Sequence, residues 1–149
     1  MNNAELEEYL HKNIPITKAM QVGVVEIEVN RVVLSAPLLP NTNHRDTAFG
    51  GSLSTLAILS AWSLLRLRMN EKNAKSAHLV IQRNNVEYLH PAAVDFTASA
   101  KLADEEKWQR FEEVFAARGK ARISVESSIE AGGKVCARFV GEFVVLASG

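Results

Sequence analysis

The residues best suited to chemistry lie in one polar loop, NTNHRDTAFGGSL, residues 41–53. Gly50 and Gly51 permit close approach of a ligand to the backbone. At the start of a helix, their N–H groups can donate to a carbonyl oxygen that becomes negative during a reaction. Asp46 is the nearest carboxylate in sequence, which predicts a general base or a nucleophile; the alternative is a turn residue or a solvated acid. The loop therefore predicts a site for a polarised carbonyl group.

Other polar side chains of this loop have two interpretations each. His44 carries an imidazole that can accept a proton near neutral pH, alone or coupled to Asp46, but histidine also forms turns. Asn43 is the preferred residue for positioning a water molecule, and the alternative is a turn cap. Ser54 and Thr55 can contact a substrate or bond back to helix carbonyls. Neither has an obvious His–Asp relay, which argues against a serine-hydrolase mechanism.

The segment that must position this loop is a long apolar helix, predicted over Leu53–Met69. Its apolar residues leave no clear polar face before Arg66. A helix of this kind must be enclosed on most sides. We therefore expect it to form the centre of the core.

Strands and short helices surround this segment in the chain. The first predicted helix lies in residues 4–15, has Leu6 and Leu10 on one face and stops before Pro15. The second covers residues 104–118 and is capped by Asp104. Alternating apolar residues predict strands at 25–29 (Val25, Ile27 and Val29 inward), 31–37, 76–89 and 94–102 (Val94 inward), and a hairpin at 120–146 around Gly132-Gly133. The predicted fold is α+β: one domain, residues 1–149, with a long central helix wrapped by a curved antiparallel sheet of about six strands.

The composition excludes several classes of partner. Seventeen basic and seventeen acidic residues cancel, and 47% of the residues are hydrophobic, which argues against binding to nucleic acid or to a membrane. The first residues lack the pattern of a signal peptide, so a cytoplasmic location is expected. The single cysteine, Cys136, lies in a strand-like segment and is interpreted as structural. No metal site is predicted.

Two motifs together resemble a known family. FGGSLSTLA, followed by VEYLHPAAVDFTASAKL, resembles the hotdog-fold acyl-CoA thioesterases. More narrowly, PLLPNTNHRDTAFGGSLSTLAILSAW is similar to the thioesterase domain of the YiiD C-terminal type, found alone or behind an N-acetyltransferase domain. The resemblance implies a hotdog fold and hydrolysis of an acyl-CoA or another acyl thioester. It implies no metal or redox cofactor, with coenzyme A only as part of the substrate.

The resemblance also implies a homodimer, with a dimer of dimers as the larger alternative, and an active site between protomers. Glu87, supplied by the partner, is then the second-choice base. Many relatives have His where this chain has Phe49, and an acidic residue where it has Ile58, so the usual helix-borne carboxylate is absent. The predicted catalytic residues are Asp46, Asn43, His44, Gly51 and Glu87, and the predicted substrate-binding residues are Thr47, Phe49, Gly50, Ser52, Ser54, Thr55 and Ile58.

Two alternatives to hydrolysis remain open. A hotdog dehydratase or hydratase would need a histidine and a carboxylate flanking the substrate, and the helix supplies no such acid. A protein that binds acyl-CoA without turning it over would explain Ile58 as a mark of lost catalysis.

Overall fold

One long helix packs on a six-stranded antiparallel sheet in the computed structural model, which describes residues 1–148. The helices are α1 (Asn3–Asn13), α2 (Ile16–Ala19), α3 (Gly50–Arg68), α4 (Glu71–Ser76) and α5 (Glu105–Arg118), with a 3-10 turn at Leu39–Asn41. The strands are β1 (Gly23–Glu28), β2 (Arg31–Ala36), β3 (Ala77–Tyr88), β4 (Phe96–Lys101), β5 (Lys120–Ala131) and β6 (Lys134–Ala147). The strand order is β1-β2-β4-β5-β6-β3, which confirms the α+β prediction.

Helix α3 lies in the core, as its apolar sequence predicts. Leu56, Leu64 and Leu65 are completely buried, and each such side chain stabilises the fold by about 1.5–3 kcal/mol. The Ser60 and Ser127 hydroxyls bond to each other at 2.8 Å and join α3 to β5. The helix begins at Gly50, three residues before the predicted start, so the glycine pair is its first turn.

The long hairpin is confirmed. Strands β5 and β6 pair along almost their whole length around Gly132 and Gly133. Both glycines have positive φ, 59° and 76°, as the tight turn between twisted strands requires. Asp104 caps α5 through its bond from the Lys107 N–H, also as predicted.

Two details of the predicted strands are wrong. A β-bulge between Val24 and Glu26 shifts the alternation of β1, so Val24 and Ile27 pack against the core while Val25 is exposed. Val29 lies in the turn after β1 and is exposed there. The bulge inserts one residue, which reverses the face of those on one side of it. Val94 precedes β4 instead of belonging to it, and is half exposed.

Strand β3 forms one edge of the sheet. It pairs with β6 along its length, and its other edge has no strand partner within residues 1–148. Residues 82–85, Gln-Arg-Asn-Asn, are exposed on this strand, with Val80 and Tyr88 to either side. An unpaired edge of this length is a surface that proteins pair or protect.

Candidate functional site

The loop before α3 is a small closed hairpin organised by Asn43. Thr42 and Ala48 form an antiparallel bridge. The Asn43 amide donates to Thr47 Oγ1 at 2.8 Å, and its oxygen accepts from the N–H groups of Arg45 at 2.8 Å and Thr47 at 3.2 Å. The polar atoms of Asn43 therefore hold the turn together, and its predicted role in positioning water stays a prediction.

The acidic and basic residues at the tip of this hairpin face solvent. His44, Arg45 and Asp46 are all exposed. Asp46 has φ 60°, and its N–H donates to the Asn43 carbonyl at 3.3 Å. A residue in the left-handed region after a tight turn is typical of a hairpin loop, and Asp tolerates it better than most residues. The turn alone explains the conformation of Asp46, so its catalytic role stays a prediction.

Buried hydrogen bonds fix the loop to the core. Asn41 is 3% exposed, and its amide donates to the carbonyls of Met20 at 3.0 Å and Pro37 at 2.8 Å. Its own carbonyl accepts from the Phe49 N–H at 2.7 Å, and the Ala48 N–H donates to the Ala92 carbonyl at 2.8 Å. Burial of these paired groups holds the start of α3 rigidly.

The first turn of α3 presents two free backbone donors. The first helical bonds run from the N–H groups of Ser52 and Leu53 to the Phe49 carbonyl, at 2.9 and 3.2 Å. Phe49 caps the helix without a side-chain bond. The N–H groups of Gly50 and Gly51 have no hydrogen-bond acceptor among the described residues. Adjacent free N–H groups at the positive end of a 19-residue helix can hold an oxygen that carries negative charge.

Two aromatic side chains border the glycine pair. The Tyr88 hydroxyl donates to the Gly50 carbonyl at 3.2 Å, which belongs to the same peptide group as the Gly51 N–H. This bond orients and polarises that peptide. The Phe49 ring lies over Gly51, so that a Cβ placed there would lie 2.9 Å from Phe49 Cζ. The ring itself is 57% exposed.

A cavity of about 320 Å³ opens beside this turn. The loop and α3 contribute Asn43, Thr47, Ala48, Gly50 and Leu53. The end of β3 and the segment after it contribute Tyr88, Leu89, His90, Pro91 and Ala92. This volume suits a small substrate or part of a larger one. The loop and the YLHPAA segment, about 40 residues apart in sequence, thus form one site.

The remaining predicted residues do not line this cavity. Ser54 bonds back to the Gly51 carbonyl at 3.1 Å, and Ser52 and Thr55 are half-buried. Ile58 is half-buried and packs against the core. Glu87 is exposed on the edge strand β3, opposite Arg138 of β6.

Sequence reasoning did not place Tyr88 and His90 at the site. The signal for them was the motif VEYLHPAA, which we interpreted as a strand and its end. A backbone bond from His90 to Cys136, at 3.2 Å, holds this segment against β6. Cys136 itself is 1% exposed.

None of the helices within residues 1–148 has the length and apolarity that a membrane crossing requires. In the same part of the chain, no three His, Cys, Asp or Glu residues gather in an arrangement that could hold a metal ion.

The long helix on an antiparallel sheet, with a glycine pair at its start, defines the hotdog-fold class. A structure from Chlorobaculum tepidum TLS, described as a protein of unknown function, matches with 29% identity and a TM-score of 0.90 over 97% of this chain and 94% of that one. A protein from Shewanella oneidensis described as a "putative thioesterase" matches with 26% identity and a TM-score of 0.80 over 97% and 96%. A "probable thioesterase" from Pseudomonas aeruginosa, at 22% identity, has the same fold, with a TM-score of 0.84 over 99% and 97%.

The family model described as "Putative thioesterase (yiiD_Cterm)" matches residues 3–147. The chain belongs to this family, and the resemblance inferred from the sequence is confirmed. The family and the fold together imply a thioester as substrate.

Proposed function

We propose that the protein hydrolyses an acyl-CoA thioester, with the thioester carbonyl held by the N–H groups of Gly50 and Gly51. The observation that carries the proposal is this pair of free donors at the start of α3, beside a cavity of about 320 Å³. Donors fixed before the reaction stabilise the oxygen most when its charge develops, because they need no reorganisation.

The reaction needs only water. The water oxygen attacks the thioester carbon while a base removes a proton, and the carbonyl oxygen becomes negative at the two N–H groups. The C–S bond then breaks, and the thiolate of coenzyme A leaves and takes up a proton. The products are a carboxylic acid and a free thiol, and no redox step occurs.

Four side chains are candidates for the base, and two of them, Asp46 and His90, are favoured. Asp46 is the carboxylate nearest to the glycine pair in sequence and adjoins Thr47, which lines the cavity. His90 is the one histidine among the side chains that line this cavity, and no carboxylate lines it. Because of this position, His90 is the main alternative to Asp46 as the base. His44 and the partner's Glu87 are further candidates.

A homodimer would complete the site. The free edge of β3 carries Glu87 and lies near a half-buried stripe of α3 formed by Gly51, Thr55, Ile58 and Trp62. The Trp62 indole donates to the Leu79 carbonyl of β3 at 2.9 Å, so stripe and edge are neighbours. A second copy that packs on the α3 stripe and pairs with the free edge of β3 would protect that edge and bring its own residues to the glycine pair.

The release of free thiol from a panel of acyl-CoA esters tests the proposal. Turnover with at least one ester supports hydrolysis. Saturable binding without thiol release would support the alternative of an acyl-CoA-binding protein, and hydration of an enoyl-CoA would support a dehydratase or hydratase. The panel includes short, long and aromatic acyl groups, because the cavity alone does not select among them.

Four substitutions, measured together, identify the base: Asp46→Asn, His90→Asn, His44→Gln and Glu87→Gln. Each keeps much of the size and hydrogen bonding of the side chain but removes the proton acceptor or changes its basicity. Loss of a general base should lower kcat by about 10²–10⁴-fold with little change in KM. A fall confined to His90→Asn would exclude Asp46, and the reverse would exclude His90.

A further inference from the structure

The cavity beside the glycine pair contains one hydroxyl group whose neighbours fix it as a hydrogen-bond donor. The side-chain oxygen of Asn43 accepts from the N–H groups of Arg45 and Thr47, which fixes the orientation of the amide. The amide nitrogen of Asn43 therefore faces Thr47 Oγ1 and donates to it at 2.8 Å. A threonine hydroxyl that accepts in this way still has its own proton to donate.

The proton of Thr47 Oγ1 has no acceptor among residues 1–148. Thr47 is half-buried and lines the cavity. The other polar side chains of the cavity wall are Asn43, Tyr88 and His90. The Asn43 amide and the Tyr88 hydroxyl donate to groups of the protein, and His90 is a candidate base, which must accept a proton. Thr47 is therefore the side chain best placed to donate to a bound group.

The inner wall of this cavity is apolar. Ala48, Leu53 and Ala92 line it and are buried. Coenzyme A is far larger than about 320 Å³, so most of it has to extend into solvent. The part of the substrate that the cavity suits is the acyl group next to the thioester carbonyl.

We infer that Thr47 selects thioesters whose acyl group carries an oxygen acceptor near the carbonyl, such as a hydroxyl or keto group. The inference rests on the proposed function, because it takes the carbonyl to be held at Gly50 and Gly51. Thr47 lies three residues before Gly50, which separates their backbones by at most about 10 Å. An acyl group without such an oxygen would displace water from the Thr47 hydroxyl and leave it without an acceptor, which disfavours that substrate by about tenfold.

Matched pairs of esters test the inference in the thiol-release assay. Butyryl-CoA is compared with both enantiomers of 3-hydroxybutyryl-CoA, and hexanoyl-CoA with its 3-hydroxy and 5-hydroxy forms. At least one hydroxylated ester should have a kcat/KM about tenfold above that of its plain partner. This preference is a ratio measured on one preparation, so it does not depend on the folded fraction of the protein.

Two variants remove the donor in different ways. Thr47→Val replaces the hydroxyl by a methyl group in a side chain of similar shape. Asn43→Asp keeps the Thr47 hydroxyl but replaces the amide N–H groups by a carboxylate oxygen, which would accept the Thr47 proton. Both variants should reduce the preference to about twofold or less, and the second would do so without changing the cavity-lining side chain of Thr47 itself.

Two further variants are the controls and should keep the preference. Thr47→Ser retains the hydroxyl. Thr42→Val removes a hydroxyl from the same hairpin, but that hydroxyl donates to the Leu39 carbonyl at 3.3 Å and does not line the cavity.

Three outcomes would overturn the inference. They are no preference for any hydroxylated ester in the wild-type protein, a preference that survives in both Thr47→Val and Asn43→Asp, and an equal fall for plain and hydroxylated esters in Thr47→Val. The last result would mean that the hydroxyl binds the coenzyme A part or a partner chain. If one of the two variants does not fold, the other decides.

Failure of the proposed function would be distinct from failure of this inference. If no ester releases thiol, hydrolysis is excluded, and the same esters become stable ligands. The ratio of their dissociation constants, measured by calorimetry, then replaces the ratio of kcat/KM in the wild-type protein and in the same variants. Tighter binding of a hydroxylated ester by about tenfold, lost in Thr47→Val, would support the role of Thr47, and equal or absent binding would overturn it.

Discussion

Replacement of Gly51 by valine tests whether this glycine is needed to donate its N–H to the substrate carbonyl or only to let the helix start fold. A side chain at this position would enter the space now filled by the exposed Phe49 ring, with a Cβ 2.9 Å from Phe49 Cζ. The ring would have to turn away, and the valine would stand between the substrate carbonyl and the Gly51 N–H. We expect the variant to lose activity far more than stability.

The loss of stability and the loss of kcat can both be estimated from the structure. Displacing a 57% exposed ring costs about 0.5–1.5 kcal/mol, and valine recovers a few tenths because glycine is a poorer helix former. A protein of ordinary stability, about 5–15 kcal/mol, stays more than about 99% folded after such a loss. Loss of one donor to the developing oxyanion costs about 2.7–4 kcal/mol of barrier. The expected fall in kcat is therefore about 10²–10³-fold.

The assay combines thiol release with thermal unfolding, and Gly141→Ala is the matched control. A Cβ at Gly141 would lie 2.8 Å from Phe139 and 3.0 Å from Phe143, whose rings are 1% and 0% exposed and cannot move aside. Gly141→Ala should lose about 1–3 kcal/mol of stability and keep kcat while folded. If Gly51→Val instead melts like the control and its folded fraction retains normal turnover, the glycine is structural and the donor role is refuted.

Other variants and one solution measurement give further outcomes. Asn43→Ala removes the bonds that close the loop hairpin and should cost about 1–3 kcal/mol, seen as a melting temperature lower by roughly 3–10 °C; an unchanged melting temperature would contradict the role in the turn. Tyr88→Phe should lower kcat with almost no change in unfolding, because its hydroxyl orients the Gly50 peptide; equal kcat in both proteins would exclude this role. Ser63→Ala should raise stability by about 1 kcal/mol, because the buried Ser63 hydroxyl has no partner within the described residues; a lower melting temperature would show a missed bond. Light scattering should give at least twice the 16.4 kDa chain mass; a monomer at micromolar concentration would exclude the site between protomers.

Much of the fold follows from local pattern. The apolar run before Arg66 predicted a buried helix, because no surface could accept it, and α3 is buried. Gly132 and Gly133 predicted the hairpin turn, because both need positive φ. The bulge at Val24 was not predictable, because an inserted residue leaves no mark in a short alternating sequence.

Much less of the site follows from the sequence. The sequence predicted a functional site in the loop around Asn43. The hydrogen bonds within the loop depend on its turn geometry, which the residue types alone do not specify. The bond from Tyr88 to Gly50 joins residues 38 apart, and the cavity position of His90 depends on its backbone hydrogen bond to Cys136. Contacts of this kind arise from the arrangement of whole elements, so a one-dimensional pattern cannot reveal them.

Ile58 determines where the base must come from if the protein is a hydrolase. Its aliphatic side chain packs against the core, so the middle of α3 provides structure rather than a proton acceptor. The acceptor then has to come from a segment near the first turn of the helix, and three are candidates: the hairpin with Asp46, the segment with His90, and a partner's edge strand with Glu87. The first two lie in one chain, and the third requires a dimer. A loss of turnover confined to Glu87→Gln would therefore support an active unit of two chains, which light scattering would then have to confirm.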